Sequence, residues 1–261
     1  MYKGIAGSEG IGIGTVVLIE EHEINIETKR VEETGAEIER LQNAIEKFVA
    51  DTNVMAEKIV SITNEMADKM AKTVGEQDAD ILRGHIIMLQ DPMIEEQISA
   101  LIISEKITAE MAVEQVLEQT AEMFSQIPDE LLQQRATDFR DIKTRMLKIL
   151  LGIEDVDISQ VPAGTVIVAR DLTPSMTAGI NPANIAGILT EVGGRTSHSA
   201  ILARAMEVPA VLSIENICSI AKNGDKVVLD GTSGEAILNP DDETVEKFKK
   251  MYSDYQNEKA L

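Results

Sequence analysis

Ile38, Leu41, Ile45, Phe48, Thr52, Met55, Ile59, Ile62 and Met66 recur at alternating steps of three and four residues. That spacing draws one seam along an α-helix and fits no strand, in which side chains change face at every residue. Thr52 is its one polar member. A long helix is predicted, packed in a helical hairpin of its own chain rather than in an intermolecular coiled coil.

Helical texture continues to about residue 150. Residues 81–89 form a second segment, and Asp91-Pro92 reads as an N-cap followed by proline at the first helical position. Thr108 caps a helix bearing Ala112, Val116, Met123 and Phe124. Pro128 opens another, with Leu132, Phe139, Ile142, Met146 and Ile149 on one face, and Gly152 ends it. Residues 31–150 carry 24 acidic and 12 basic side chains, more than half of the excess behind the net charge of −21. Such a balance argues against a nucleic-acid backbone and favours a basic protein partner.

The flanks read differently. Gly7, Gly10, Gly12 and Gly14 precede Val16-Val17-Leu18-Ile19, a pattern of strands and turns. It is no dinucleotide fingerprint, because β-branched residues follow where a helix should. Short apolar runs at 166–168, 185–189, 210–212, 227–229 and 236–238 read as strands. Thr173-Pro174-Ser175 and Ser197 start helices between them. The fold expected is an α/β domain, 1–25 plus 150–235, with an all-α helical-hairpin subdomain, 30–149, inserted into it. An acidic-started helix with Phe248 and Met251 makes 240–261 a connector, whose polar tail reads as a cut end.

Aromatic residues are only 3% of the chain, so the 12 Met share in filling the core. Cys218 is the only cysteine. It excludes an internal disulfide, argues against a thiolate zinc site, and reads as a small buried hydrophobe. No apolar run approaches the roughly 20 residues of a membrane span, and no signal-peptide stretch opens the chain. A cytoplasmic monomer with no metal of its own is expected.

The chemistry concentrates at 193–204, Gly-Gly-Arg-Thr-Ser-His-Ser-Ala-Ile-Leu-Ala-Arg. Gly193 and Gly194 allow a tight turn and close backbone approach. Thr196 or Ser197 can cap the next helix, which puts His198 in its first turn, where unpaired N–H groups and the dipole favour a phosphate. Arg195 and Arg204 add positive charge, and Thr177 offers a hydroxyl to orient the ring. A neutral imidazole is a competent nucleophile. Each residue also has a plainer reading: the glycines as a turn, His198 as a cap or hydrogen-bond bridge, Arg204 as the partner of an acid.

This segment resembles the phosphohistidine signature of the phosphoenolpyruvate-utilising enzymes at all twelve positions. Gly4-Ile5-Ala6-Gly7-Ser8, Gly84-His85-Ile86-Ile87-Met88-Leu89, Arg135-Ala136-Thr137-Asp138-Phe139-Arg140-Asp141-Ile142 and Asp171-Leu172-Thr173-Pro174-Ser175 look like the Enzyme I branch of that family. The resemblance implies an α/β swivelling phosphohistidine domain, with His198 phosphorylated on Nε2 and Thr177 bonded to its ring. It implies a helical subdomain that docks the phosphocarrier protein HPr, with Glu76, His85, Met88 and Arg135 on the docking face. His85 also reads as a helix-packing residue. His22, among Glu20, Glu21 and Glu23, matches no motif and is expected to be exposed. Glu9 stands where many relatives have proline, and Met176 where some have an acid. The family's phosphoenolpyruvate- and magnesium-binding barrel is absent, so no autophosphorylation from phosphoenolpyruvate is expected. The alternatives are a non-catalytic docking module, or the swivelling domain of a dikinase or synthase.

Overall fold

Strands form where apolar β-branched runs lie between glycines, and helices where the apolar period lengthens to that of a helix. The computed structural model describes residues 1–21, 23–65, 69–155 and 157–261, so His22 and the last seam residue, Met66, lie outside the described residues. The strands are β1 (Tyr2–Lys3), β2 (Ile5–Ser8), β3 (Ile11–Leu18), β4 (Thr165–Ala169), β5 (Ile185–Thr190), β6 (Ala210–Leu212), β7 (Lys226–Asp230) and β8 (Glu235–Leu238). The helices are α1 (Thr34–Asn64), α2 (Lys69–Leu89), α3 (Pro92–Glu105), α4 (Ala109–Ser125), α5 (Glu130–Leu151), α6 (Pro174–Thr177), α7 (His198–Ala205), α8 (Ile217–Ile220) and α9 (Asp242–Lys259). Among the described residues, no helix is long and apolar enough to cross a membrane.

Local chemistry sets the helix ends. The Asp91 carboxylate accepts from the Met93 N–H at 2.9 Å ahead of Pro92, and Thr108 Oγ1 accepts from the Met111 N–H at 3.3 Å. Pro128 does not open α5. Asp129 does, by accepting from the N–H groups of Leu131 and Leu132, which leaves the proline outside the cap. Gly152, at φ +68°, ends α5. The second helix begins at Lys69 rather than near 81, because its first turns are mostly polar and, among the residues whose burial is described, bury only Val74, Gly75, Asp78 and Ala79.

The chain divides into two compact units: Met1–Glu21, Ile59–Gln77 and Val156–Leu261 in one, His22–Lys58 and Asp78–Asp155 in the other. The second lies in sequence between β3 and β4, and its described elements are helices, beside an isolated bridge between Arg30 and Ile107. Its core joins Leu41, Ile45 and Phe48 of α1 with Leu89, Ile98, Val113, Leu117, Ile142 and Met146. Met123 of α4, unlike Ala112 and Val116, is exposed. Thr52 explains itself: its hydroxyl donates to the Phe48 carbonyl at 2.6 Å and accepts from Arg145 Nη2 at 2.5 Å. The Arg145 guanidinium lies over the Phe48 ring, 4.1 Å from its centroid. The polar seam position thus serves a buried cation.

Asp78 is buried too, and burial pushes its carboxyl up from 3.8 to about 7. An acid harder to ionise when folded binds more protons folded than unfolded. Its contribution is therefore fully present below pH 3.8 and is lost as pH rises through about 7. For one full proton the slope is ~1.4 kcal/mol per pH unit. Asp78→Asn should flatten that fall, so the variant gains on the parent between pH 5 and pH 8 in urea unfolding. Parallel curves would show that Asp78 does not titrate in this window.

In the other unit the eight strands of the described residues form one sheet, ordered β1-β8-β7-β3-β4-β5-β6-β2. The outermost strands, β1 and β2, are consecutive in sequence with only Gly4 between them. The sheet therefore closes on itself and leaves no long free edge. Gly4 stands at the seam: its N–H donates to Gly234 O at 2.9 Å, and a Cβ there would lie 2.2 Å from Leu212 O. Strands β3, β4, β5 and β6 pair in parallel, and β3 pairs with β7 antiparallel.

Two stretches join this unit against the expected division. In Ile59–Gln77, Val74 packs on Leu202 and Ala205 of α7. In 240–261, α9 lays Phe248, Met251 and Tyr255 on Ile11 and Val228. The helix expected as a connector is amphipathic and buries its apolar stripe on this unit. Cys218 is half-buried beside the sheet core, where burial and the Glu191 carboxylate push its thiol up to about 12. That removes it as a nucleophile at neutral pH.

Candidate phosphohistidine site

Parallel neighbours β4 and β5 deliver two loops to the same edge of the sheet, the carboxyl ends where open α/β sheets place their ligands. After β4 come Asp171 to Leu172 and the short α6, whose cap Thr173 accepts from the Met176 N–H at 3.4 Å. After β5 comes the glycine loop, then α7 with His198 as its first residue.

The loop is held from several sides. Gly193 has φ +108°, a conformation that favours glycine, and Ser213 Oγ donates to its carbonyl at 2.6 Å. The Gly194 carbonyl accepts from both the N–H and the hydroxyl of Ser197, at 3.0 and 2.7 Å. Ser197, not Thr196, is the cap: its Oγ accepts from the Ala200 N–H at 3.4 Å. Arg204 donates from Nη1 to Gly7 O at 2.9 Å and from Nη2 to Arg195 O at 2.7 Å. It thereby ties β2 to the loop through carbonyls and keeps its charge. The Arg195 side chain is exposed at the loop's crest.

The ring of His198 faces α6. Its Nε2 lies 3.5 Å from Thr177 Oγ1, at the outer limit of a hydrogen bond. Thr177 is buried, and its hydroxyl also lies 3.2 Å from each of the Thr173 and Pro174 carbonyls, so its one proton has these two acceptors and, when the ring proton is on Nδ1, Nε2 as a third. Burial pushes the imidazole down from 6.5 to about 4, against the pull of the Asp171 carboxylate. The ring is neutral at pH 7, so one of its two nitrogens carries no proton.

This fixes a sign. Between about pH 4 and 6.5 the unfolded chain binds more protons than the folded one. The contribution of His198 to stability is therefore full above 6.5 and is lost as pH falls toward 4. A ring titration by NMR should show no change from pH 8 to 6 and a midpoint near 4. A midpoint at 6.5 would mean a solvated ring.

Of the residues expected to dock a partner, Glu76 and Arg135 are exposed. The other two are not: His85 is 1% exposed and Met88 9%. His85 lies between two carboxylates one turn apart on α5, with Nε2 3.2 Å from Asp138 Oδ1 and Nδ1 3.9 Å from Asp141 Oδ2. It joins α2 to α5 in the interior, the packing alternative. Met88 belongs to the helical core.

Two residues near the ring lie within the quoted motifs but carry no role in that reading. Asp171 accepts from the Ser199 hydroxyl at 3.0 Å and from the Leu172 N–H at 2.8 Å. The signal was faint: a serine between the histidine and an apolar helix face, and an aspartate at a strand's end. Among the described residues, no group of three His, Cys, Asp or Glu side chains converges as a metal site.

Comparison with known proteins agrees with this geometry. The family described as "PEP-utilising enzyme, N-terminal" matches residues 3–135, and "PEP-utilising enzyme, mobile domain" matches 161–234. A phosphoenolpyruvate-protein phosphotransferase of Priestia megaterium is 37% identical over 99% of this chain and 43% of its own length. One of Mycoplasma capricolum is 38% identical over 97% of this chain and 42% of its own. The chain thus spans less than half the length of these relatives. An NMR solution structure of Enzyme I (nEIt) superposes with a TM-score of 0.84 at 36% identity, covering 98% of this chain and 100% of that one. The chain belongs to the phosphoenolpyruvate-utilising enzyme family, and within it to the N-terminal part of Enzyme I.

Proposed function

We propose that this chain takes up a phosphoryl group on Nε2 of His198 and returns it, exchanging with the phosphocarrier protein HPr. The observation that carries the reading is a neutral imidazole at the start of α7, with Nε2 toward Thr177 Oγ1 and the α7 cation Arg204 unneutralised by any carboxylate among the described residues. In the step, with the ring proton on Nδ1, the Nε2 lone pair attacks phosphorus and an N–P bond forms. The bond from phosphorus to the carrier's atom breaks, and that atom keeps the electron pair. Little more is required of the protein than in-line positioning and neutralisation of the equatorial oxygens. The phosphoenolpyruvate and magnesium chemistry of full-length relatives belongs, on this reading, to sequence outside this chain.

Glu76 and Arg135 remain as carrier contacts, while His85 and Met88 act through packing. Arg135→Ala should weaken carrier binding about 10-fold, the loss typical of an arginine anchor, with an unchanged amide spectrum. Calorimetry showing full affinity would remove Arg135 from the interface. The function itself is tested by adding radiolabelled phospho-HPr. Label should move to the chain and be released by mild acid. No transfer at stoichiometric carrier would overturn the proposal.

A further inference from the structure

The contacts around His198 form a closed ring. Asp171 accepts from Ser199 Oγ at 3.0 Å and from the Leu172 N–H at 2.8 Å. The Leu172 N–H also reaches Ser199 Oγ at 3.2 Å. From Leu172 the chain passes to Thr173, whose carbonyl accepts from both the N–H and the hydroxyl of Thr177 at 3.2 Å. Thr177 meets His198 Nε2, and His198 is followed by Ser199, which leads back to Asp171. Ser199 and Leu172 are both buried. In such a setting a hydrogen bond to a carboxylate is stronger than one between neutral groups. The loosest link is the one that matters chemically, Thr177 to His198 at 3.5 Å.

We propose that Asp171 and Ser199 are positioning residues for His198: their hydrogen bond locks the first turn of α7 to the segment bearing Thr177, and so fixes where Nε2 points. The functional consequence rests on the phosphohistidine reading above; the positioning itself does not. Neither residue need touch the phosphoryl group.

The test compares Asp171→Ala, Asp171→Asn and Ser199→Ala in the full chain. Two readouts are used: the rate of label uptake from phospho-HPr, and the ring ¹⁵N resonances of His198. Asp171→Ala should slow uptake about 100-fold, the scale of a ~1 Å misplacement, with little change in carrier affinity and with shifted ring resonances. Asp171→Asn keeps an oxygen for Ser199 and Leu172 and should lose less than about 10-fold. Ser199→Ala removes the tie without touching the carboxylate; it should move both readouts in the same direction and decides the matter if Asp171→Ala does not fold. Wild-type uptake and unchanged ring resonances in Asp171→Ala and Ser199→Ala would overturn the proposal. So would an Asp171→Asn as impaired as Asp171→Ala, since charge rather than the tie would then be at work. A wild-type chain that takes no label would sink the phosphohistidine reading instead, and the ring spectra would still decide the positioning.

Discussion

His198→Ala should accept no phosphoryl group from phospho-HPr while still binding the carrier. On the proposed mechanism the nucleophile is one nitrogen. Neighbouring Ser175, Thr177 and Ser197 offer hydroxyls, but a hydroxyl is a poor nucleophile without a base. The one proton of Thr177 Oγ1, besides, is shared with the Thr173 and Pro174 carbonyls. Deleting a nucleophile from a site of this kind costs roughly 10⁶-fold, far below detection here. The fold should survive, since alanine is a good helix former at the first position of α7 and the Ser197 cap is untouched. Label measured against time on the variant and the parent checks this. Uptake within tenfold of the parent would move the chemistry elsewhere in the chain.

The largest stability effect should come from Phe48→Ala in the helical unit. Phe48 is fully buried in a chain with few aromatics to spare. Its removal costs about 3–5 kcal/mol in lost transfer free energy and residual cavity. The Arg145 guanidinium also loses the ring beneath it while staying buried, a contact that can add about 2 kcal/mol when desolvated. Val54, on the same helix but 50% exposed, is the control: Val54→Ala should stay within about 0.5 kcal/mol. Urea unfolding followed by circular dichroism compares the two. A loss under 1 kcal/mol for Phe48→Ala would mean that the core relaxes into the void.

What could be read from sequence was what local chemistry decides. The seam of α1, the caps Asp91 and Thr108, the strand runs and the Ser197–His198 helix start are all set by residues within a few positions of one another. Long-range packing was not legible. Nothing in the spacing of α2 tells which of its faces meets α5, so His85 and Met88 could be read as surface when they are interior. The Arg204 to Gly7 bond joins residues 197 apart and exists only because β2 pairs beside β6, at the point where the sheet closes. The Asp171–Ser199 tie likewise needs β4 and β5 to be parallel neighbours. The apolar stripe of α9 was visible, but not what it covers.

The most direct measurement is the location of the phosphate itself. After exchange with phospho-HPr at neutral pH, the chain is cut under alkaline conditions that preserve N–P bonds, and the peptides are sequenced by mass spectrometry. One phosphoryl group on the imidazole of His198 is the expected result. An acid-stable phosphate on a serine or threonine, or one carried by His85, would contradict it.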